Sequence, residues 1–225
     1  MPLRGGFAVV RARRAGVAES LDSPSMDVSA VLAVVGSYLL GSIDFAVVVA
    51  RSKGVDIHEV GSGNPGASNV LRTLGKGPAV MVLVGDALKG VMAAAIGWIA
   101  AGNEVLPNSS VAFAAGLAAV LGHCYPLYHR FRGGKGVATT AGVLAFVVPV
   151  AAAVLAAVWV VVVRLTKVAS IGSLTVVVLA VPLAWWRGVR PPALWWLVAI
   201  LVLVVFRHRA NIQRMIRGSE RKVPT

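Results

Sequence analysis

Long apolar stretches alternate with short polar ones along most of the chain. The apolar runs occupy residues 28–50, 78–101, 110–128, 137–163, 168–186 and 191–206. Most are close to the roughly 20 residues that a helix needs to cross a bilayer. The pattern therefore predicts an all-α, polytopic integral membrane protein.

The polar joints between the runs fix the expected topology, because Lys and Arg concentrate on the cytoplasmic side of membrane proteins. Arg51, Lys53, Arg72 and Lys76 follow the first run, and Arg130, Arg132 and Lys135 follow the third. The joint 103–110 between them has no Lys or Arg. The run 137–163 is long for one crossing. If it crosses once, the basic stretch RHRANIQRMIRGSERK (207–222) falls outside. If it turns back near Pro149, that stretch falls inside. The charge bias selects the second choice. It predicts about seven transmembrane segments, with the N-terminus outside and the C-terminus cytoplasmic. Arg187 and Arg190 then lie in a tight external joint, flanked by Trp185, Trp186, Trp195 and Trp196 as interfacial anchors.

Composition agrees. Hydrophobic residues make up 57% of the 225 and charged residues only 14%, against roughly a quarter charged in a soluble domain. The net charge of +13 would suit nucleic acid. Its placement at the edges of apolar runs points to membrane lipid instead, so no nucleic-acid partner is expected. Residues 1–25 are Arg-rich without an apolar core, which predicts a disordered basic extension. Met26 is a candidate start, so residues 1–25 are a candidate untranslated leader. One membrane domain is expected over 26–217 and a cytoplasmic tail over 218–225. Cys124 is the single cysteine, expected as a small buried hydrophobe. The four histidines have no ligand spacing, so neither a metal nor a cofactor is expected.

Three polar, glycine-bearing joints would face the same side. In GSGNPGASNVLRTLGK (61–76), Asn64 is a candidate cap for a helix beginning at Pro65 and ending at Gly75. Ala67, Val70, Leu71 and Leu74 form its apolar stripe, with Ser68, Asn69, Arg72 and Lys76 opposite. In FRGGKGVATT (131–140), Gly133, Gly134 and Gly136 permit positive φ and close approach. Their N–H groups can form a concave nest for an anion beside Lys135. In FRHRANIQR (206–214), His208 and Asn211 share a face if the last helix continues. Ser170, in VASIGS, faces either that side or a neighbouring helix. Within the membrane, Asp86 and Lys89 are expected as an ion pair, and Ser42 as a packing residue. No His is followed at the fifth position by Asp, so the His–Asp pair of soluble glycerolipid acyltransferases is missing.

GSIDF, GSGNPGASNVLRTLGK, DALKG, GHCYPLYHRFRGGKGVAT and RHRANIQR occur in that order from about residue 30 to 217. The ordered set resembles the bacterial acyl-phosphate:glycerol-3-phosphate acyltransferases. Asp44 stands where a small residue or Pro is usual, and Ser68 where Thr is common. The resemblance implies a seven-helix enzyme of the cell membrane with its active site facing the cytoplasm. It implies transfer of a fatty acyl group from acyl phosphate to the sn-1 hydroxyl of glycerol 3-phosphate, in phospholipid synthesis. Ser62, Ser68, Asn69 and Arg72 would bind substrate phosphate. Lys135 would act with Gly133, Gly134 and Gly136 on phosphate and developing charge. Ser170, His208 and Asn211 would orient glycerol 3-phosphate. The alternative from the residues alone is an anion or phosphate-ester transporter.

Overall fold

The computed structural model describes residues 28–224; the predicted extension 1–25 lies outside them. All regular structure among these residues is helical: α1 Val28–Gly41, α2 Phe45–Arg51, α3 Ala67–Leu74, α4 Lys76–Ala100, α5 Ser110–Cys124, α6 Val137–Val147, α7 Pro149–Thr166, α8 Ala169–Trp186, α9 Ala193–Arg207 and α10 Arg209–Ile216, with a short 3₁₀ turn at Leu127–His129. Helix α4 is central. It packs on α1, α2, α5 and α6, and the short helix α3 lies against it. Helices α7 and α8 pair on the far side of α6, and α9 closes the ring between α8 and α5.

Glycines let the central helices touch. A Cβ on Gly142 of α6 would collide with the Ala87 carbonyl of α4, and one on Gly90 of α4 with the Thr139 carbonyl of α6. Gly41 and Gly122 make the same kind of contact between α1 and α5. Such closeness is how membrane helices gain packing energy when lipid and side chain are equally apolar. The exposed faces of α7 and α8 stay apolar, as for Val160, Val161 and Val178.

The apolar runs map onto helices, with corrections. The first run is broken: α1 ends at Gly41, and the buried Asp44 caps α2 by accepting from the N–H groups of Ala46 and Val47 at 3.0 and 3.1 Å. A carboxylate at this position can satisfy a helix start, which an apolar residue cannot. The long fourth run divides at Val148, with Pro149 as the first residue of α7. Proline cannot continue α6, but its fixed φ suits a first helical position. The last run bends by 52° between α9 and α10 at His208. By length and apolarity, five helical spans among the described residues can cross a membrane, or six if the bent pair is one span. Helix α6, with 11 residues, is too short to pass the same test.

The helix predicted to begin at Pro65 also starts later, at Ala67. Its cap is Gly66, without a side-chain hydrogen bond, and Asn64 and Pro65 lie before it, outside the helix. Gly75 does end it, at φ 89°. Asn69 explains the shift. It is buried, accepts from Ser62 N–H at 2.8 Å and donates to the Val60 carbonyl at 3.1 Å. These bonds fold 57–62 back onto the helix. Gly61 and Gly63, at φ 61° and 68°, supply the left-handed turns this needs.

Candidate active site

The three glycine-bearing joints meet around one cavity of about 1090 Å³. Its polar end is lined by Ser62 and Ser68 with Arg72, by Gly133, Lys135 and Gly136, and by Ser170, His208 and Asn211. Its other end runs between helices along Leu144, Leu155, Trp159, Val163, Val177 and Ala180. The site thus joins a cationic head pocket to an apolar trough. Two residues expected to bind substrate do not line it. Asn69 points into the 57–62 loop, where its amide is already bonded. Gly134 is packed behind the wall: its N–H donates to the His123 carbonyl at 3.0 Å.

The glycine joint works by close approach more than by dihedral freedom. A Cβ on Gly133 would strike the His123 carbonyl, and one on Gly134 the His123 ring and the Pro65 carbonyl. Only Gly136 takes a positive φ, 83°, as the cap of α6. The other left-handed residues of this joint are Arg130 and Phe131, at φ 51° and 60°. Arg207 then fixes the loop. Its Nε donates to the Gly134 carbonyl at 3.0 Å and its Nη2 to the Gly133 carbonyl at 2.7 Å, while the guanidinium stacks over Tyr125. With the carbonyls held on one side, the unpaired start of α6 and the Lys135 side chain remain for the cavity.

Lys135 Nζ donates to Asn211 Oδ1 at 2.6 Å, so the second and third joints are in direct contact. Burial lowers the Lys135 pKa to about 8; Glu220 opposes the shift, while Arg214, Arg72 and Arg207 add to it. Arg72 is also lowered, first by burial and then by Arg221 and Arg214, with Glu220 again opposing. Its Nε is buried without a hydrogen-bond partner, and its Nη2 reaches Ser62 Oγ only at 3.5 Å. Crowded cations with unspent donors describe a place for an anion. His208 donates from Nδ1 to the Val204 carbonyl at 2.7 Å, because a carbonyl can only accept. In the neutral ring that leaves Nε2 as an acceptor.

The tail adds a residue that the sequence reading passed over. Glu220 is the one acid among the basic residues of 207–222, which was the available signal. Its carboxylate accepts from Ser170 Oγ at 3.0 Å, Asn211 Nδ2 at 2.6 Å and Arg214 Nε at 2.8 Å. Burial alone would raise its pKa, but these hydrogen bonds outweigh it and hold the carboxyl below the usual range. Val223 N–H donates to the Lys167 carbonyl at 2.8 Å, keeping the tail against the joint between α7 and α8. Ser170 and Asn211 are thus set by Glu220, and Arg207 by the glycine carbonyls. Both Arg207 and Glu220 were missed as site residues.

Comparison with known proteins adds the family. The profile of the glycerol-3-phosphate acyltransferases matches residues 31–218. The chain belongs to this family. A glycerol-3-phosphate acyltransferase of Halalkalibacterium halodurans is 44% identical over 206 residues, covering 85% of this chain and 94% of the relative. One from Pseudomonas aeruginosa is 43% identical over 187 residues, covering 82% and 95%. The fold is similar to the crystal structure of PlsY, an integral membrane glycerol 3-phosphate acyltransferase, in its glycerol 3-phosphate form. The TM-score is 0.82 at 41% identity, over 88% of this chain and 96% of that one. The lysophosphatidic acid form of PlsY matches with a TM-score of 0.79.

The lowered pKa of Lys135 gives a pH test. The ammonium is charged below about pH 8 and loses its proton as pH rises through that value. Apparent affinity for a phosphate-bearing ligand is expected to fall across that range. Lys135→Arg, which stays charged throughout, should lack this alkaline fall. Titration of ligand affinity against pH in both proteins checks it.

Proposed function

We propose that this protein transfers a fatty acyl group from acyl phosphate to the sn-1 hydroxyl of glycerol 3-phosphate. The products are lysophosphatidic acid and inorganic phosphate, and the setting is phospholipid synthesis in the cell membrane. The observation that carries the reading is the junction of a cationic pocket with an apolar trough in one cavity. A substrate with a phosphate head and an acyl tail fits both ends. The named activity of the relatives supplies the acceptor.

The chemistry needs little from the protein beyond position and charge. The sn-1 oxygen attacks the acyl carbonyl carbon, the carbon–oxygen bond to phosphate breaks, and phosphate departs with the electron pair. Departing phosphate is a competent acceptor for the proton that the hydroxyl loses. Lys135 and the α6 N-terminus stabilise charge on the acyl phosphate. Ser62, Ser68 and Arg72 hold phosphate at the opposite wall. His208 Nε2 accepts from the sn-1 hydroxyl and orients it, and Asn211 and Ser170 complete that side. No covalent intermediate is required, because the donor is already activated. The transporter reading is not favoured: family membership and a headgroup pocket continuous with an acyl-sized trough both argue for transfer.

The same reading places seven membrane segments around the site, counting α6 and α7 as separate crossings and α1 with α2 as one. The N-terminus is outside, and the site and C-terminus face the cytoplasm. The bias of Lys and Arg toward the three joints supports it.

Two outcomes check these proposals. Purified protein in detergent should form lysophosphatidate from acyl phosphate and glycerol 3-phosphate, but not from acyl-CoA or acyl carrier protein. Anion uptake into proteoliposomes without turnover would sink the enzyme reading. A reporter fused to the C-terminus should read cytoplasmic, and a periplasmic signal would refute the seven-segment topology.

A further inference from the structure

Behind the glycine joint lies a buried ionic cluster that the proposed reaction does not use. Lys89 and Asp86 of α4 and His123 of α5 are only 1%, 2% and 5% exposed. Lys89 Nζ lies 3.1 Å from the Gly41 carbonyl, 2.9 Å from the Ile43 carbonyl, 2.9 Å from His123 Nδ1 and 2.9 Å from Asp86 Oδ1. An ammonium has three protons. Gly41, Ile43 and His123 account for all three. Asp86 receives charge without a hydrogen bond, which agrees with Oδ1 having no hydrogen-bond partner.

This count decides the histidine tautomer. Asp86 Oδ1 is 3.5 Å from His123 Nδ1, too long to compete with the 2.9 Å contact from Lys89. A lysine paired with a carboxylate is charged and only donates. His123 Nδ1 must therefore accept, and the neutral ring carries its proton on Nε2. An Asp–His dyad with a basic Nε2 is the opposite arrangement, and the distances disfavour it. The Nε2 edge abuts Gly134, where a Cβ would overlap it. No hydrogen bond is made by Nε2, and His123 lines the cavity together with Pro65, Gly133 and Lys135.

We infer that His123 is a further catalytic residue: a neutral donor whose Nε2–H is aimed by Lys89 at the oxygen that becomes negative when the acyl carbonyl is attacked. The inference rests on the acyl-transfer reading above. A donor held rigid is worth most at the transition state, since it needs no reorganisation there. A neutral ring also avoids placing another cation beside Lys135 and Arg207. The broken first span has a part in this. Its carbonyls at Gly41 and Ile43 take two of the Lys89 protons, which leaves one for His123.

The test compares two variants with the wild type. His123→Leu removes the donor, and His123→Gln returns an N–H near the Nε2 position. With acyl phosphate saturating, His123→Leu should lose about 100-fold or more in kcat, with KM for glycerol 3-phosphate within threefold. His123→Gln should recover at least tenfold. Turnover by His123→Leu within threefold of wild type would overturn the inference. So would equal losses in both variants with KM raised in parallel, the mark of a structural role. If the wild type itself transfers no acyl group, the acyl-transfer reading fails instead. Nitrogen-15 spectra of histidine-labelled wild type need no variant to fold. They should show His123 protonated at Nε2, with that resonance shifted by a non-hydrolysable acyl phosphonate. Protonation at Nδ1 alone, or no shift at saturation, would overturn the inference.

Discussion

A single buried ammonium holds the bundle in register. Lys89 sits in an apolar interior where an uncompensated charge is expensive. Its surroundings meet that cost with two carbonyls, an imidazole and a carboxylate. Each comes from a different constraint. The carbonyls exist as free acceptors because α1 stops at Gly41, and Asp44 makes the stop possible by capping α2. The imidazole is in place because Gly122 lets α5 lie against α1. The same histidine contacts Gly134 through its ring and its backbone carbonyl. A break in the first span is thereby coupled to the position of the glycine loop on the far side of α5.

The head pocket follows an opposite logic. There the cations are left under-compensated. Lys135, Arg72 and Arg214 surround a space in which Glu220 is the nearby carboxylate, and Glu220 is fully engaged by Ser170, Asn211 and Arg214. Arg207 spends its donors on glycine carbonyls. What remains unspent is the Lys135 charge, the Arg72 Nε and the first N–H groups of α6. These are the groups that a phosphate monoester would satisfy, and the trough beyond them is apolar, as an acyl tail would require.

Much of this was legible in the sequence, because membrane segments announce themselves by length and joints by charge. Pro149 marked a division that hydropathy alone runs through. Asp86 and Lys89, three apart in an apolar helix, read correctly as an ion pair. The glycine spacing of 133–136 pointed to close approach, although only Gly136 uses positive φ. What was not legible depends on long-range contact. Asn69 has the helical phase of a polar face, yet it turns inward because a loop seven to twelve residues earlier needs its amide. Glu220 sits in a basic tail that local rules read as solvated, and only Ser170 and Asn211, far off in sequence, give it a place. Arg207 reads as positive-inside charge until the carbonyls of Gly133 and Gly134 are seen beside it.

The central claim is that one cavity holds two phosphate-bearing molecules at once, one of them with its tail in the trough. Calorimetric titration of glycerol 3-phosphate into protein already saturated with a non-hydrolysable acyl phosphonate tests this most directly. A ternary complex is predicted, with glycerol 3-phosphate binding within about tenfold of its affinity for the free protein. Mutual exclusion, with no glycerol 3-phosphate bound once the phosphonate saturates, would contradict the account.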